Sequence, residues 1–209
     1  MSNKKLKIKV CGMKHLANIA QVSQLPIDYM GFIFYPKSAR FVGNLAIGHV
    51  PATIKKVGVF VNETAERILS EVEKHGLQAV QLHGDETPAL CEALQNEQLE
   101  VIKAFGIHDE FDWSMIEGYI PCVNFFLFDT KSPQHGGTGQ TFDWKKLKEY
   151  PFDKPYFLSG GLSLDNIKQA VTYEDKRLAG LDLNSKFETQ PALKNIDTLT
   201  QALKIIKNE

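Results

Sequence analysis

Short runs of β-branched and aromatic residues recur at 6–11, 29–34, 56–61, 77–82, 99–105, 123–129, 155–159 and 178–183, and each reads as a strand. Between them the apolar residues fall three and four apart. That spacing predicts helices over 15–24, 64–75, 87–96, 110–117, 143–149, 163–171 and 190–207, with a weaker one at 43–50. In the second of these, Ala65, Ile68, Leu69 and Val72 share one face. The third opens on Thr87-Pro88, a good helix start.

Strand and helix alternate throughout, and the central runs are apolar on both faces, which indicates a parallel sheet covered by helices. Two architectures satisfy this pattern, an open doubly wound sheet and a closed (β/α)8 barrel. Eight units in 209 residues allow about 26 residues each, near the lower size limit of the barrel. The open sheet would place a G-x-G-x-x-G turn after an early strand, but the first strand is followed by Cys11-Gly12-Met13-Lys14-His15. The expectation is therefore an α/β chain folded as one (β/α)8 TIM barrel spanning 1–209.

Composition narrows the partners. The chain has 24 Lys+Arg against 25 Asp+Glu, a formal net charge of -1, so no nucleic-acid partner is expected. The N-terminus, Met1-Ser2-Asn3-Lys4-Lys5, lacks the apolar block of a signal peptide, and no apolar run approaches the roughly 20 residues of a membrane span. A cytoplasmic protein without a membrane partner is expected. Cys11, Cys91 and Cys122 are odd in number and form no C-x-x-C pair, which points to a reducing compartment and no structural metal. A monomer is the preferred assembly.

In a barrel, chemistry gathers at the C-terminal ends of the strands. Cys11 stands at the end of the first, with Lys9 two residues back on the same inward face. A thiolate there needs positive charge or substrate contact to lower its pKa. Asp129 ends the most hydrophobic strand, where a carboxyl keeps its proton near neutrality and suits a general acid; capping of a turn is the plainer use. The long loop Lys131–Gln140 holds Gly136, Gly137 and Gly139 and reads as a mobile lid or as a solvated linker. Ser159-Gly160-Gly161 precedes a predicted helix start, and Asn184-Ser185 ends the following strand. Together they form a candidate phosphate site after strands seven and eight. Arg40, on the second loop, can grip a carboxylate through two parallel hydrogen bonds, and His83 is either a proton carrier or a structural residue. Strands one and eight are neighbours in a closed barrel, so Lys9 and Asp182 are expected to form a buried ion pair that blunts the effect of Lys9 on Cys11.

In order along the chain, Lys9-Val10-Cys11-Gly12, Gly31 to Arg40, Gly58-Val59-Phe60-Val61-Asn62, Gln81-Leu82-His83-Gly84, Phe128-Asp129-Thr130-Lys131, Gly136-Gly137-Thr138-Gly139 and Leu158-Ser159-Gly160-Gly161-Leu162 resemble the phosphoribosylanthranilate isomerases of tryptophan biosynthesis. The resemblance implies an Amadori rearrangement of N-(5-phosphoribosyl)anthranilate without metal or organic cofactor, with Cys11 as general base and Asp129 as general acid. It further implies that Arg40 contacts the anthranilate part, that Gly137 and Gly139 close over the substrate, and that Gly160, Gly161 and Ser185 cradle the phosphate beside Asn184. His83 belongs to the same substrate-binding set. The partner is a small phosphoribosyl compound, and association with other tryptophan-pathway enzymes stays open. One departure stands out. Where many family members carry a serine pair and a glycine, this chain reads Asn184-Ser185-Lys186, so Lys186 either adds a charge contact to the phosphate or points to solvent. Two competing readings are the related isomerase of histidine biosynthesis, which uses paired aspartates, and a non-catalytic phosphoribosyl binder.

Overall fold

The computed structural model describes residues 5–43, 46–130 and 143–208. Eight parallel strands close into a barrel in chain order: β1 (Lys7–Val10), β2 (Tyr29–Ile33), β3 (Lys55–Phe60), β4 (Ala79–Leu82), β5 (Glu100–Ile107), β6 (Phe125–Thr130), β7 (Tyr156–Leu158) and β8 (Leu178–Leu183). Each overlaps a predicted run. The seam is made by β1 against β8, where Lys9 pairs in register with Asp182.

The helices follow local chemistry. Thr64 and Thr87 cap α2 (Ala65–His75) and α3 (Pro88–Asn96) by accepting from the backbone N–H of Arg67 and Leu90, and α2 stops at Gly76 in a left-handed conformation. Between β1 and β2 runs α1 (Leu16–Val22). Elsewhere the outer layer is less regular than its periodicity suggests. Over the predicted 110–117 and 143–149, the chain forms 3₁₀ turns, Trp113–Cys122 and Trp144–Glu149. Pro121 removes an N–H donor near the end of the first, and the second stops two residues before Pro151. The predicted 163–171 helix is reduced to α4 (Ile167–Val171), because Asn166 Oδ1 accepts from the N–H of Ser163 and holds the preceding residues in a turn.

The weak helix expected at 43–50 is absent over its described residues. Gly48 and Pro51 interrupt it, while Val42, Ile47 and Val50 still pack against the outer core. The last predicted helix begins six residues late. A hairpin of β9 (Glu188–Gln190) and β10 (Leu193–Lys194) precedes it, turning at Pro191-Ala192, and α5 (Ile196–Lys207) starts after the Asn195 cap. Among the described residues no helix is long and apolar enough to cross a membrane.

Two cores result. The larger lies between barrel and helices; the smaller fills the barrel with Tyr29, Val57, Ala79, Ile102, Ala104, Leu127 and Phe157, closed by Phe125. The rings of Tyr29 and Phe157 meet edge to face at 5.5 Å, and those of Phe125 and Phe157 at 5.3 Å. Two residues further along the same inward rows stand Gln81, Asp129 and Ser159, joined by Lys9 and Asp182, all buried. The apolar plug is thus a floor beneath a polar layer.

Candidate active site

Cys11 ends β1 with its thiol against Gly31 of β2, where a Cβ would come within 2.7 Å of Sγ. Its backbone N–H donates to Leu183 O at 2.9 Å, which fixes it at the seam. Directly below, Lys9 Nζ lies 2.9 Å from Asp182 Oδ1, and both groups are buried. The pair expected from strand alternation is present. Burial pushes the Cys11 thiol above its ordinary value, Lys9 and Lys194 draw it down, and Asp182 opposes them. Burial works against the Lys9 ammonium, but Asp182 and Cys11 hold it above the usual lysine value. These influences bias Cys11 toward its neutral thiol, beside a lysine whose charge Asp182 offsets.

Asp129 ends β6 with 6% of its surface exposed. Burial lifts its pKa to about 7, against the pull of the hydrogen bond that Oδ1 accepts from Thr130 N–H at 2.8 Å. His83 Nε2 stands 3.6 Å from Asp129 Oδ2, and Gln81 Nε2 lies 2.8 Å from His83 Nδ1. With Gln81 donating, the imidazole presents N–H to Asp129. On the other side, Gly160 has φ +82, and a Cβ there would come 2.4 Å from Thr130 Oγ1 and 2.8 Å from Asp129 Oδ1. Only glycine lets this turn approach the carboxyl so closely.

Arg40 crosses Gly12, whose φ is +80 and whose added Cβ would meet Arg40 Cδ at 2.6 Å and Asn184 Oδ1 at 2.8 Å. Its Nε donates to both oxygens of Glu188 at 3.0 Å, and its Nη2 donates to Oε2 at 2.7 Å. Glu188 also binds Lys194, whose Nζ lies 2.5 Å from Oε1 and 2.7 Å from Asn184 Oδ1. Lys194 is completely buried, and Asn18 holds its backbone through an N–H bond to Oδ1 of 2.7 Å and a bond from Nδ2 to the carbonyl of 2.9 Å. Sequence reasoning missed Glu188 and Lys194, because a Glu and a Lys near a turn read as solvated surface. No sequence signal marks them: the apolar spacing predicts helix from 190, and the hairpin that turns them inward replaces its first residues.

Gly160 and Gly161 have φ +82 and +64 at the end of β7, and Asn184 and Ser185 follow β8 into a short 3₁₀ turn. The helix start expected just behind the glycines lies further on, at Ile167, so the backbone of the turn and not a helix end faces this rim. Lys186 is exposed on that turn. Gly137 and Gly139, with the rest of the expected lid, lie outside the described residues. Among the described residues no three His, Cys, Asp or Glu side chains gather to hold a metal ion.

One mouth of the barrel thus carries a thiol, a carboxyl titrating near neutrality, a braced arginine and a glycine turn. The arrangement suits proton transfer to and from a bound anionic compound. A family model described as N-(5'phosphoribosyl)anthranilate (PRA) isomerase matches residues 8–204. The N-(5'-phosphoribosyl)anthranilate isomerase of Phocaeicola vulgatus is 44% identical over 188 residues, covering 90% of this chain and 91% of its own. Among solved structures, phosphoribosyl anthranilate isomerase from Thermotoga maritima superposes with a TM-score of 0.84 at 34% identity, covering 98% of this chain and 100% of that one. Another, solved in complex with reduced 1-(o-carboxyphenylamino)-1-deoxyribulose 5-phosphate, gives a TM-score of 0.82 at 31% identity, with coverage of 98% and 100%.

Proposed function

The chain belongs to the N-(5'-phosphoribosyl)anthranilate isomerase family and is an isomerase of tryptophan biosynthesis, and from that premise we propose that Asp129 is its general acid and Cys11 its general base. The observation that carries the assignment is the carboxyl of Asp129, buried at the end of β6 with a pKa raised to about 7. Such a group holds a proton at a pH where an ordinary aspartate has lost it.

Asp129 delivers its proton to the furanose ring oxygen as the bond from that oxygen to C1 breaks. The nitrogen lone pair forms the C1=N bond of a protonated Schiff base. Cys11 as thiolate then takes the proton from C2, and the electrons of that C–H bond form the C1=C2 bond of an enolamine, neutralising the nitrogen. Tautomerisation gives the 1-deoxyribulose product, so atoms and charge balance without an added reactant. The N–H of Thr130, 2.8 Å from Asp129 Oδ1, favours its return to the carboxylate after the proton has left.

Substrate binding follows from the rim. Arg40 meets the carboxylate of the anthranilate ring by a charge-assisted fork. Gly160, Gly161, Asn184 and Ser185 hold the phosphate with backbone N–H groups and short polar side chains, and that grip fixes the ribose over the acid and base. The test is a coupled assay in which anthranilate and phosphoribosyl pyrophosphate form the substrate in situ and its fluorescence decay is followed. Cys11→Ala and Asp129→Asn are each expected to lower kcat by about 10²–10⁴-fold with thermal unfolding still cooperative. Near-normal turnover in either variant overturns that residue's role.

A further inference from the structure

Around Glu188 one carboxylate serves two cations. Its Oε1 accepts from Lys194 Nζ at 2.5 Å, from Arg40 Nε at 3.0 Å and from the N–H of Ala192 at 3.2 Å. Its Oε2 accepts from Arg40 Nε at 3.0 Å and Nη2 at 2.7 Å. Glu188 and Arg40 side chains are 4% and 13% exposed and Lys194 is fully buried, so solvent supplies little screening. Burial pulls the Lys194 amine below the usual lysine value, and the Glu188 carboxylate works against that pull.

The geometry leaves a place on Arg40 for an anion. A guanidinium has five N–H donors on a planar fork. Glu188 occupies the Nε–Nη2 side, and among the described residues no hydrogen bond engages Nη1. The Nη1–Nη2 edge is the one on which a second carboxylate seats with two parallel bonds. Every member of the bracket is itself held. Gly12 admits the arginine stem, Asn184 and Glu188 share Lys194, and Asn18 binds the backbone of Lys194 from α1. A lone surface arginine would pay rotamer entropy on meeting its ligand, whereas this one is fixed beforehand.

We propose that Glu188 is a positioning residue for substrate recognition: braced by Lys194, it locks one edge of Arg40 so that the other edge selects a ring carboxylate. The inference rests on the reading that Arg40 meets that carboxylate. Glu188 touches no reacting atom, so it acts on affinity and discrimination more than on the chemical step.

Two probes separate the claims, reduced 1-(o-carboxyphenylamino)-1-deoxyribulose 5-phosphate and the same compound without its carboxyl group, with affinities measured by calorimetry. The parent is expected to favour the carboxylated probe, and Arg40→Ala to erase the preference. If Arg40→Ala keeps it, the reading of Arg40 falls. With that preference lost in Arg40→Ala, Glu188→Gln is expected to cut it by about tenfold or more, raise KM in parallel and leave kcat within about threefold. In an Arg40→Ala background the same change should cost nothing further. Glu188→Gln alone strands a buried ammonium, so Glu188→Gln with Lys194→Met provides the folded counterpart and is expected to lose the preference equally. An undiminished preference in either folded variant, equal weakening of both probes, or full additivity with Arg40→Ala overturns the proposal.

Discussion

Asp129 and Cys11 are set against their usual habits by the same cause, the removal of water at the strand ends. The Asp129 carboxyl, at about 7, and the raised Cys11 thiol mean that the free protein prefers to hold the proton on sulfur. Catalysis needs the proton on Asp129 and off Cys11. kcat/KM should therefore climb as pH rises toward about 7, level out where Asp129 ionises, and fall only beyond the raised thiol pKa. In Asp129→Asn the residual rate should keep climbing through pH 7; an unchanged break near 7 would show that another group sets it. The same shift has a stability consequence. Asp129 binds a proton in the native state up to about pH 7, while its unfolded value is near the ordinary 3.8. Between those limits the native state holds more protons, so stability falls as pH rises and the loss is complete above 7. Asp129→Asn should be more stable than its parent at pH 8, by on the order of 4 kcal/mol at most, and the gap should vanish below about pH 4. Urea unfolding of both proteins across that range measures it, and a gap independent of pH would refute the assignment.

The strands were legible because barrel strands bury both faces and so carry dense β-branched and aromatic runs whatever surrounds them. Phe125-Phe126-Leu127-Phe128 has no other plausible use. Helices were less legible. Tertiary packing supplies most of a surface helix's stability, so apolar spacing at 110–117 and 143–149 marks residues that face the core, such as Trp113, Ile116, Trp144 and Leu147, without requiring an α-helical ladder between them. The seam between β1 and β8 is the element whose prediction went furthest, since strand period and closure alone bring Lys9 to Asp182. That pair has a measurable signature. Asp182→Asn leaves the Lys9 ammonium without its carboxylate, which should destabilise the protein by about 3 kcal/mol and, with its opposing charge gone, lower the pKa of the Cys11 thiol. Alkylation of Cys11 by iodoacetamide, followed by peptide mass against pH, should shift to lower pH in the variant. No shift would mean that Lys9 acts on Asp182 alone.

At the scale of the whole molecule, the barrel separates what holds it together from what reacts. The aromatic plug of Tyr29, Phe125 and Phe157 fills the lower interior, and the titrating groups stand above it at the strands' C-terminal ends. Composition could not reveal this division: a net charge of -1 says nothing of where the buried charges lie, and Glu188 with Lys194 became visible only once the hairpin folded onto the rim. If the floor is only a floor, weakening it should cost stability and spare chemistry. Phe157→Leu removes part of a ring that packs on both Tyr29 and Phe125, and should lower unfolding free energy by about 1–2 kcal/mol. Its kcat, measured well below the unfolding transition, should stay within about twofold of the parent. A matched fall in kcat would place the plug among the groups that position Ser159 and Asp182 above it. In that case the two layers would be one mechanical unit, and stabilising the floor would sharpen catalysis as well as the fold.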